Sequence, residues 1–143
     1  MQARFIILQQ GDEAYFDQIA DGVFDDEVSA DFARTFLSDP RHHICVALAD
    51  GVIVGFASAV DYIHPDKPHE LWINEVGVAP SFQRRGLGAT ILRCLMDHAK
   101  SLGCAEAWVL TDRSNIGARA FYRQLRGEEE ETMMITFDFA DRH

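Results

Sequence analysis

The chain has 143 residues, 48% of them hydrophobic, and its 23 acidic against 13 basic side chains give a formal net charge of −10 at pH 7. That length suits one domain with a substantial core, and the composition excludes a disordered chain. The negative charge disfavours a nucleic-acid partner, since phosphate-driven binding needs an extended basic surface. No apolar run reaches the ~20 residues that span a bilayer. Three cysteines without a signal peptide or CxxC spacing indicate a cytoplasmic protein with reduced thiols and no membrane partner.

The first half of the chain predicts a strand, two helices and a hairpin. Arg4–Leu8 is typical of a strand. Asp12–Ile19 and Val28–Leu37 have helical spacing, and Ser29 is the expected N-cap of the second helix. Two apolar, β-branched runs then flank Asp50-Gly51, which is a strong signal for a hairpin turn.

The second half of the chain alternates strands and helices. The strand ELWINEVGV is followed, after Gly88, by an amphipathic helix that stops at the C-cap glycine Gly103. The remaining predicted elements are the strand AEAWVL (105–110), the helix NIGARAFYRQL (115–125) and a final strand TMMITFDF (132–139). We therefore predict one α/β domain over residues 1–143, with a mixed central sheet flanked by helices.

Residues 80–92, PSFQRRGLGATIL, combine two arginines with two glycines at a predicted helix start. They open a segment, residues 84–126, that holds eight basic and three acidic side chains within an acidic protein. A helix N-terminus carries unpaired N–H groups and a partial positive charge. Gly86 and Gly88 would let a ligand approach the backbone, and this donor array suits a pyrophosphate.

Three kinds of phosphate-binding loop compete for this stretch. A Walker loop is excluded because no Gly-Lys-Ser/Thr follows, and a dinucleotide fingerprint needs glycine or alanine where Ile91 stands. The hexapeptide Gln83-Arg84-Arg85-Gly86-Leu87-Gly88 resembles the acetyl-coenzyme A signature Q/R-x-x-G-x-G/A of the GNAT superfamily of N-acetyltransferases. Further along, NIGARAFYRQL resembles the second signature of that superfamily, N-x-x-A-x-x-F-Y-x-x-L.

The resemblance implies acetyl-CoA as the acyl donor, with coenzyme A as product. Backbone N–H groups of residues 84–89 would hold the pyrophosphate, and the end of the strand EVGV would pair with the pantetheine arm beside a bulge expected at Gly77. The N–H of Val78 would face the thioester oxygen, where a tetrahedral intermediate carries negative charge. Tyr122 would give its proton to the departing thiolate. The implied coenzyme-binding residues are Val76, Gly77, Val78, Gln83, Arg84, Arg85, Gly86, Leu87, Gly88, Ala89, Asn115, Ala118 and Tyr122.

The acceptor amine must lose a proton before it attacks, so the chemistry requires a base. Glu75 is the preferred base because it lies on the strand that lines the junction of coenzyme and acceptor. Glu70 is the reserve, and His64 and His69 are weaker candidates. The predicted catalytic residues are thus Tyr122 and Glu75. Acidic side chains of the first helix pair and of this strand would bind the acceptor, namely Asp25, Asp26, Glu27, Glu70 and Glu75.

The first 83 residues carry ten more acids than bases, which favours a small cationic acceptor such as an aminoglycoside or a polyamine. The ending EEETMMITFDF is similar to that of bacterial aminoglycoside N-acetyltransferases that modify the 3-amino group. Protein or peptide N-acetylation and a non-catalytic acyl-CoA-binding module remain alternatives. We also expect a solvated turn at Glu128–Glu131, a hydrated strand entry at His42-His43, no metal site, and a homodimer in which the final strand is the candidate for exchange.

Overall fold

Among the described residues, five strands form one mixed sheet in the order β1-β2-β3-β4-β5, and of these strands only β4 and β5 pair in parallel. The computed structural model describes residues 2–140. The strands are β1 (Arg4–Ile7), β2 (His42–Ala49), β3 (Val52–Tyr62), β4 (Glu70–Val78) and β5 (Glu106–Val109), and the helices are α1 (Ala30–Ser38), α2 (Leu87–Ser101) and α3 (Ile116–Gln124). The predicted hairpin and the α/β fold with a mixed sheet are confirmed.

Two compact units divide the chain: one ends at Leu110, and the other begins at Thr111. The first unit contains the whole sheet with α1 and α2, and the second contains α3. The assignment of residues 1–143 to one domain stays a prediction, and its two end residues lie outside the described range.

The sheet of the first unit has two differently covered faces. On the first, here called the α2 face, Gly55 of β3 lies so close to α2 that an added Cβ would be 2.8 Å from Cδ1 of Ile91. On the other, here called the α1 face, Phe56 packs with Leu37 of α1 and with Phe24 of the segment before α1. Burying a side chain such as Ile91, which has no exposed surface, contributes about 1.5–3 kcal/mol.

Helix ends follow the capping signals in the sequence. The Oγ of Ser29 accepts the N–H of Phe32 at 3.2 Å, so α1 begins one residue after its predicted N-cap. Helix α2 ends in a Schellman motif, in which Gly103 has φ of 95° and the N–H of Cys104 reaches the carbonyl of Ala99. The predicted helix Asp12–Ile19 is instead a short 3-10 helix, Glu13–Asp17. Asp25, Asp26 and Glu27 therefore lie in an irregular connection and not in a helix pair.

The predicted bulge in β4 is present but lies at Asn74. Ser58 of β3 pairs with Glu75 and Ala59 pairs with Ile73, which leaves Asn74 as the extra residue. Gly77, the expected bulge position, is regularly paired with Phe56. Glycine is needed there for another reason, since a Cβ would lie 2.5 Å from the carbonyl oxygen of Val23.

The prediction of a final strand at residues 132–139 is wrong. This segment has no regular structure, and Met133, Met134, Ile135, Phe137 and Phe139 are 75–96% exposed. Alternation of apolar residues stabilises a strand only where a neighbouring strand and a face to bury are available. Among the described residues, this segment pairs with no strand.

No helix within residues 2–140 is both long and apolar enough to cross a bilayer.

Candidate active site

A cavity of about 410 Å³ opens in the first unit on the α1 face, beside the bulge of β4. Its polar side chains are those of Asp25, Asn74, Glu75 and Gln83, and its apolar floor includes Phe56. The full lining is Gly22, Val23, Asp25, Phe56, Asn74, Glu75, Val76, Gly77, Val78 and Gln83.

The segment before α1 forms one wall of the cavity because it is pinned to the sheet. Ala20 donates its N–H to the carbonyl of Ile53 at 2.9 Å, and Val23 is 5% exposed. The ring of Phe24 stacks on Phe56 at 4.1 Å between centroids, a contact worth about 0.5–1.5 kcal/mol beyond its buried area. These contacts hold Asp25 at the cavity.

Glu75 is the acidic side chain of β4 that lines the cavity. It is exposed, and no partner for its carboxylate is found within residues 2–140. Its register partner is Ser58, a buried residue of β3. An exposed carboxylate without a cationic partner remains available to accept a proton or to pair with a cationic ligand.

The free edge of β4 runs along the same cavity. Pairing of β4 with β5 stops at Ile73, and beyond it no strand within residues 2–140 pairs with β4 on that side. Ala79 donates its N–H to the carbonyl of Val54 at 2.8 Å. Because hydrogen-bonded and non-hydrogen-bonded pairs alternate along an antiparallel ladder, Val78 and Val76 direct their N–H and C=O groups away from β3. These groups can pair with an extended ligand that lies along the edge.

Gln83 connects this edge to the start of α2. Its side-chain amide donates to the carbonyl of Val78 at 3.0 Å, which agrees with the outward direction of that carbonyl. The intervening residues form a 3-10 helix, Pro80–Phe82, in which Phe82 donates its N–H to the carbonyl of Ala79. The connection from β4 to α2 is thereby fixed.

The residues before α2 form an array of unpaired backbone donors. Arg84 and Gly86 both adopt the left-handed conformation, with φ of 64° and 77°. The first hydrogen bond of the helix runs from the N–H of Thr90 to the carbonyl of Gly86. Within the described chain, the N–H groups of residues 84–89 have no protein acceptor. Left-handed residues at a helix N-terminus form an anion-binding concavity, so these residues fit a pyrophosphate.

Two arginines flank this array. Arg84 and Arg85 are exposed, and neither has a carboxylate partner among the described residues. The guanidinium of Arg85 lies 5.1 Å from the centroid of the Phe82 ring, which orients it by a cation–π contact. Both charges can therefore meet the phosphates of a ligand without first breaking an ion pair.

The second unit carries the remaining predicted coenzyme residues. Asn115 is the N-cap of α3, and its Oδ1 accepts the N–H of Ala118 at 3.0 Å. This bond leaves the side-chain NH2 group of Asn115 without a protein partner among residues 2–140. Tyr122 is half-buried, and burial raises the pKa of its phenol above the usual value. The phenol is therefore protonated at neutral pH.

Glutamates after α3 form ion pairs with three arginines of the second unit, Arg113, Arg119 and Arg123. Glu129 accepts two hydrogen bonds from Arg119, at 2.6 Å from Nε and 3.1 Å from Nη2, and Glu131 pairs with Arg113. The hydrogen bonds from Arg119 lower the pKa of Glu129 to about 2. The run Glu128–Glu131 is exposed, as expected for a solvated segment, and within it Glu129 and Glu131 form ion pairs with arginines of α3 and of the residues before it.

Several predicted acceptor residues lie away from the cavity. Asp26 and Glu27 are exposed and do not line it. Glu70 begins β4, and a carboxylate oxygen of its side chain lies 2.6 Å from Nε2 of His64. His69 contacts Asp61 at 3.0 Å through Nδ1. Of the predicted acceptor residues, only Asp25 and Glu75 are brought together.

The histidine pair at the start of β2 also differs from expectation. His43 is 7% exposed, and its ring lies 5.1 Å from that of His98 on α2. Burial is the main cause that lowers its pKa, and His98 lowers it further. His43 is therefore a core residue, because β2 is central and its α2 face is covered. Within residues 2–140, no cluster of histidine, cysteine or acidic residues could hold a metal ion.

Sequence reasoning missed the residues that shape the cavity. Gly22, Val23 and Phe56 line it through long-range packing, which no local pattern reports. Asn74 lines it because of the bulge. The signal that could have located it is the pair of adjacent polar residues, Asn74 and Glu75, between the non-polar runs of residues 71–73 and 76–78.

The sequence matches the Acetyltransferase (GNAT) family over residues 8–127. The N-alpha-acetyltransferase RimI of Mycobacterium tuberculosis is 35% identical over 89 residues, which are 62% of this chain and 54% of that protein. The aminoglycoside N(6')-acetyltransferase type 1 of Salmonella typhimurium is 29% identical over 94 residues, 63% of this chain and 65% of that protein. A solved aminoglycoside acetyltransferase from an uncultured soil metagenomic sample has a TM-score of 0.83 at 20% identity and covers 98% of this chain and 100% of its own.

The chain therefore belongs to the GNAT acetyltransferase family, as the two signatures predict. It spans less than two thirds of the length of either curated relative. The name of the Salmonella relative places its chemistry at the 6'-amino group, whereas the ending EEETMMITFDF predicts the 3-amino group. Aminoglycoside N-acetyltransferases are thus among the proteins that this chain resembles, whereas modification of the 3-amino group stays a prediction.

Proposed function

We propose that the protein is an acetyl-CoA-dependent N-acetyltransferase whose acceptor is a small cationic amine, such as an aminoglycoside or a polyamine. Membership of the GNAT family supports acetyl transfer. The observation that carries the proposal is the position of Glu75. This unpartnered carboxylate lines the cavity next to the edge of β4 at which Val76 and Val78 present outward N–H groups.

The coenzyme would be held by backbone groups of the first unit. The N–H groups of residues 84–89 donate to the pyrophosphate, and Arg84 and Arg85 add positive charge beside it. Val76, at the free edge of β4, would pair through its backbone with the pantetheine arm. Asn115 contributes its free NH2 group as a donor. Acetyl-CoA, when bound, supplies an acetyl thioester that is activated toward amines.

Transfer would proceed by direct attack of the amine in a ternary complex. Glu75, directly or through water, takes the proton that the ammonium must lose before attack. The N–H of Val78 donates to the thioester oxygen as negative charge develops there. Tyr122 gives its phenolic proton to the leaving thiolate, and the raised pKa keeps this proton in place at neutral pH.

Charge supports a cationic acceptor. Asp25 and Glu75 both line the cavity, and no basic side chain lines it. Within residues 2–140, neither carboxylate has a partner. Carboxylates around a cleft raise the local concentration of cations, and salt screens this effect as the Debye length falls from ~10 Å at 0.1 M to ~3 Å at 1 M.

A thiol-release assay with a panel of amines tests the proposal. We expect aminoglycosides and polyamines to release coenzyme A faster than neutral or acidic amines, with kcat/KM falling as salt rises. Glu75→Gln should lower kcat about 10²- to 10⁴-fold while binding of coenzyme A is retained, and Glu27→Gln is the matched control outside the cavity. An anionic acceptor with the highest kcat/KM, or a salt-independent rate, would contradict the proposal.

A protein N-terminus is the second candidate acceptor. It is favoured by the 35% identity to the relative named N-alpha-acetyltransferase RimI. A peptide with a free amino terminus therefore belongs in the same panel, and its success over free polyamines would select this alternative. If no amine releases thiol although coenzyme A binds, the chain is a non-catalytic binding module. A homodimer also stays a prediction, which the molar mass in solution tests.

A further inference from the structure

The two tryptophans of the chain, Trp72 on β4 and Trp108 on β5, stack on each other. Their ring centroids lie 5.2 Å apart, and the ring planes differ by 13°. The residues are direct partners in the parallel register of β4 and β5, so both side chains project from one face of the sheet. Both are half-buried and keep part of their indole surface exposed.

The register of β3 and β4 places this pair on the same face as Glu75. Trp72 is paired with Val60 and Glu75 with Ser58, and these β3 residues are two positions apart. Side chains two positions apart on a strand share a face and are separated by roughly 7 Å. Residues three positions apart on a regular strand project from opposite faces of the sheet. Because Asn74 is an extra residue in β4, Trp72 and Glu75 project from the same face. The indoles therefore lie about one sugar-ring width from the proposed base.

A carboxylate also stands on the far side of the indoles. Glu106 precedes Trp108 by two residues, so it projects from the same face of β5, and it is exposed. No partner of Glu106 is found among the described residues. Along this face, the order is thus the Glu75 carboxylate, the stacked indoles and the Glu106 carboxylate, over roughly 14 Å.

We propose that the Trp72–Trp108 pair is an acceptor subsite that binds the apolar face of an amino-sugar ring. The C–H face of a sugar ring is flat and apolar and matches an indole, whereas its ammonium groups match carboxylates at either end. A linear polyamine has the charges but no ring face to stack. The inference rests on the proposed function, and it selects cyclic amino sugars over linear polyamines within the cationic class.

Intrinsic fluorescence reports on this subsite alone, because the chain has no other tryptophan. With coenzyme A saturating, titration with neamine, a two-ring aminoglycoside, should change the tryptophan emission in a saturable way. Spermidine, a linear polyamine, should leave the emission unchanged at the same occupancy, measured by calorimetry. Equal emission changes for both amines, no change with neamine, or a change only with a peptide would overturn the inference.

Substitutions separate stacking from folding. Trp72→Leu should raise KM for neamine by about 2- to 10-fold and alter KM for spermidine less than about twofold, with kcat retained. Trp72→Phe should recover most of the loss, because an aromatic face remains. Binding of coenzyme A serves as the folding control. Equal losses for both amines would overturn the subsite.

The proposed function and the subsite can fail separately. If the parent protein releases thiol with neither amine, the proposed function has failed. The emission titration on the parent still decides whether a sugar ring binds at the indoles, including the case in which Trp72→Leu does not fold.

Discussion

Single residues determine the donor array before α2, and Gly88 is the position at which it can be tested most cleanly. Gly88 lies in the first turn of α2, and its φ is not positive, so a side chain there introduces no backbone strain. A carboxylate in this turn stabilises the helix dipole but repels a phosphate. A carboxylate at this position should therefore stabilise the fold and weaken the binding of a phosphate.

For this reason we expect Gly88→Asp to abolish measurable binding of coenzyme A and to leave the free energy of unfolding unchanged or raised. Gly88→Ala is the matched control, because it adds a Cβ without charge and should retain most of the affinity. Calorimetry with coenzyme A and urea unfolding measure the two quantities. If Gly88→Asp binds coenzyme A with unchanged affinity, the pyrophosphate does not bind at this helix start.

At Tyr122, a single hydroxyl is proposed to protonate the leaving thiolate. Tyr122→Phe removes this hydroxyl and keeps the aromatic ring, whose centroid lies 5.2 Å from that of Phe121. We expect kcat to fall about 10²- to 10⁴-fold with affinity for coenzyme A retained. Since burial raises the pKa of this phenol, the alkaline loss of activity in the parent should lie above the usual tyrosine value of about 10. An unchanged kcat would assign Tyr122 to packing alone.

At the scale of elements, the segment after α3 is held by charge pairing. Arg119 engages both carboxylate oxygens of Glu129, and Arg123 reaches the same carboxylate at 3.5 Å. Glu129 thus has a folded pKa of about 2, well below the ordinary value near 4.5. A depressed carboxyl pKa means that the pair contributes fully above pH ~4.5 and is lost as pH falls toward 2.

We therefore expect the Glu129 carboxyl to titrate near pH 2 in NMR spectra of its side-chain carbon. Arg119→Lys should move this pKa upward, because an ammonium cannot make the paired contact. Arg123→Lys is the control and should shift it less. A midpoint near the ordinary value of about 4.5 in the parent protein would mean that the pair does not persist in solution.

Elements differ in how far sequence predicted them. The hairpin at Asp50-Gly51 and the cap at Ser29 were predictable because each is specified by a few adjacent residues. The bulge lies at Asn74 and not at Gly77, because the register of β4 is determined by its pairing with β3. Glycine at position 77 instead allows the carbonyl oxygen of Val23 to approach closely. The segment 132–139 has the composition of a strand, but none of the described strands pairs with it. The coenzyme array could be predicted from a motif, whereas the cavity wall at Val23 arises from packing between distant segments.

At the scale of the whole molecule, the free energy of unfolding should depend on His43. Burial lowers the pKa of this imidazole in the folded chain, so the unfolded chain binds a proton more readily. Because the unfolded chain binds this proton more tightly, the free energy of unfolding is highest above pH ~6.5. It falls as the pH drops below that value toward the lower folded pKa. Protonation would leave a charge between β2 and α2, where Nε2 has no hydrogen-bond partner among the described residues.

We expect His43→Leu to flatten the pH dependence of unfolding between pH 8 and pH 5. Urea unfolding at several pH values measures it, and most carboxylates stay ionised over this range. His42→Leu, at the exposed neighbour, is the matched control and should keep the slope of the parent. Equal slopes in His43→Leu and the parent would contradict this account.

The glutamates that pair with the arginines around α3 have a further consequence for solubility. The segment that follows them is apolar, exposed and of β-forming composition, which is the pattern of aggregation-prone sequences. Charged residues flanking such a segment act as gatekeepers that oppose intermolecular stacking. Pairing with arginine keeps Glu129 ionised in acid, so this gatekeeper retains its charge well below the pH at which an ordinary glutamate would lose it.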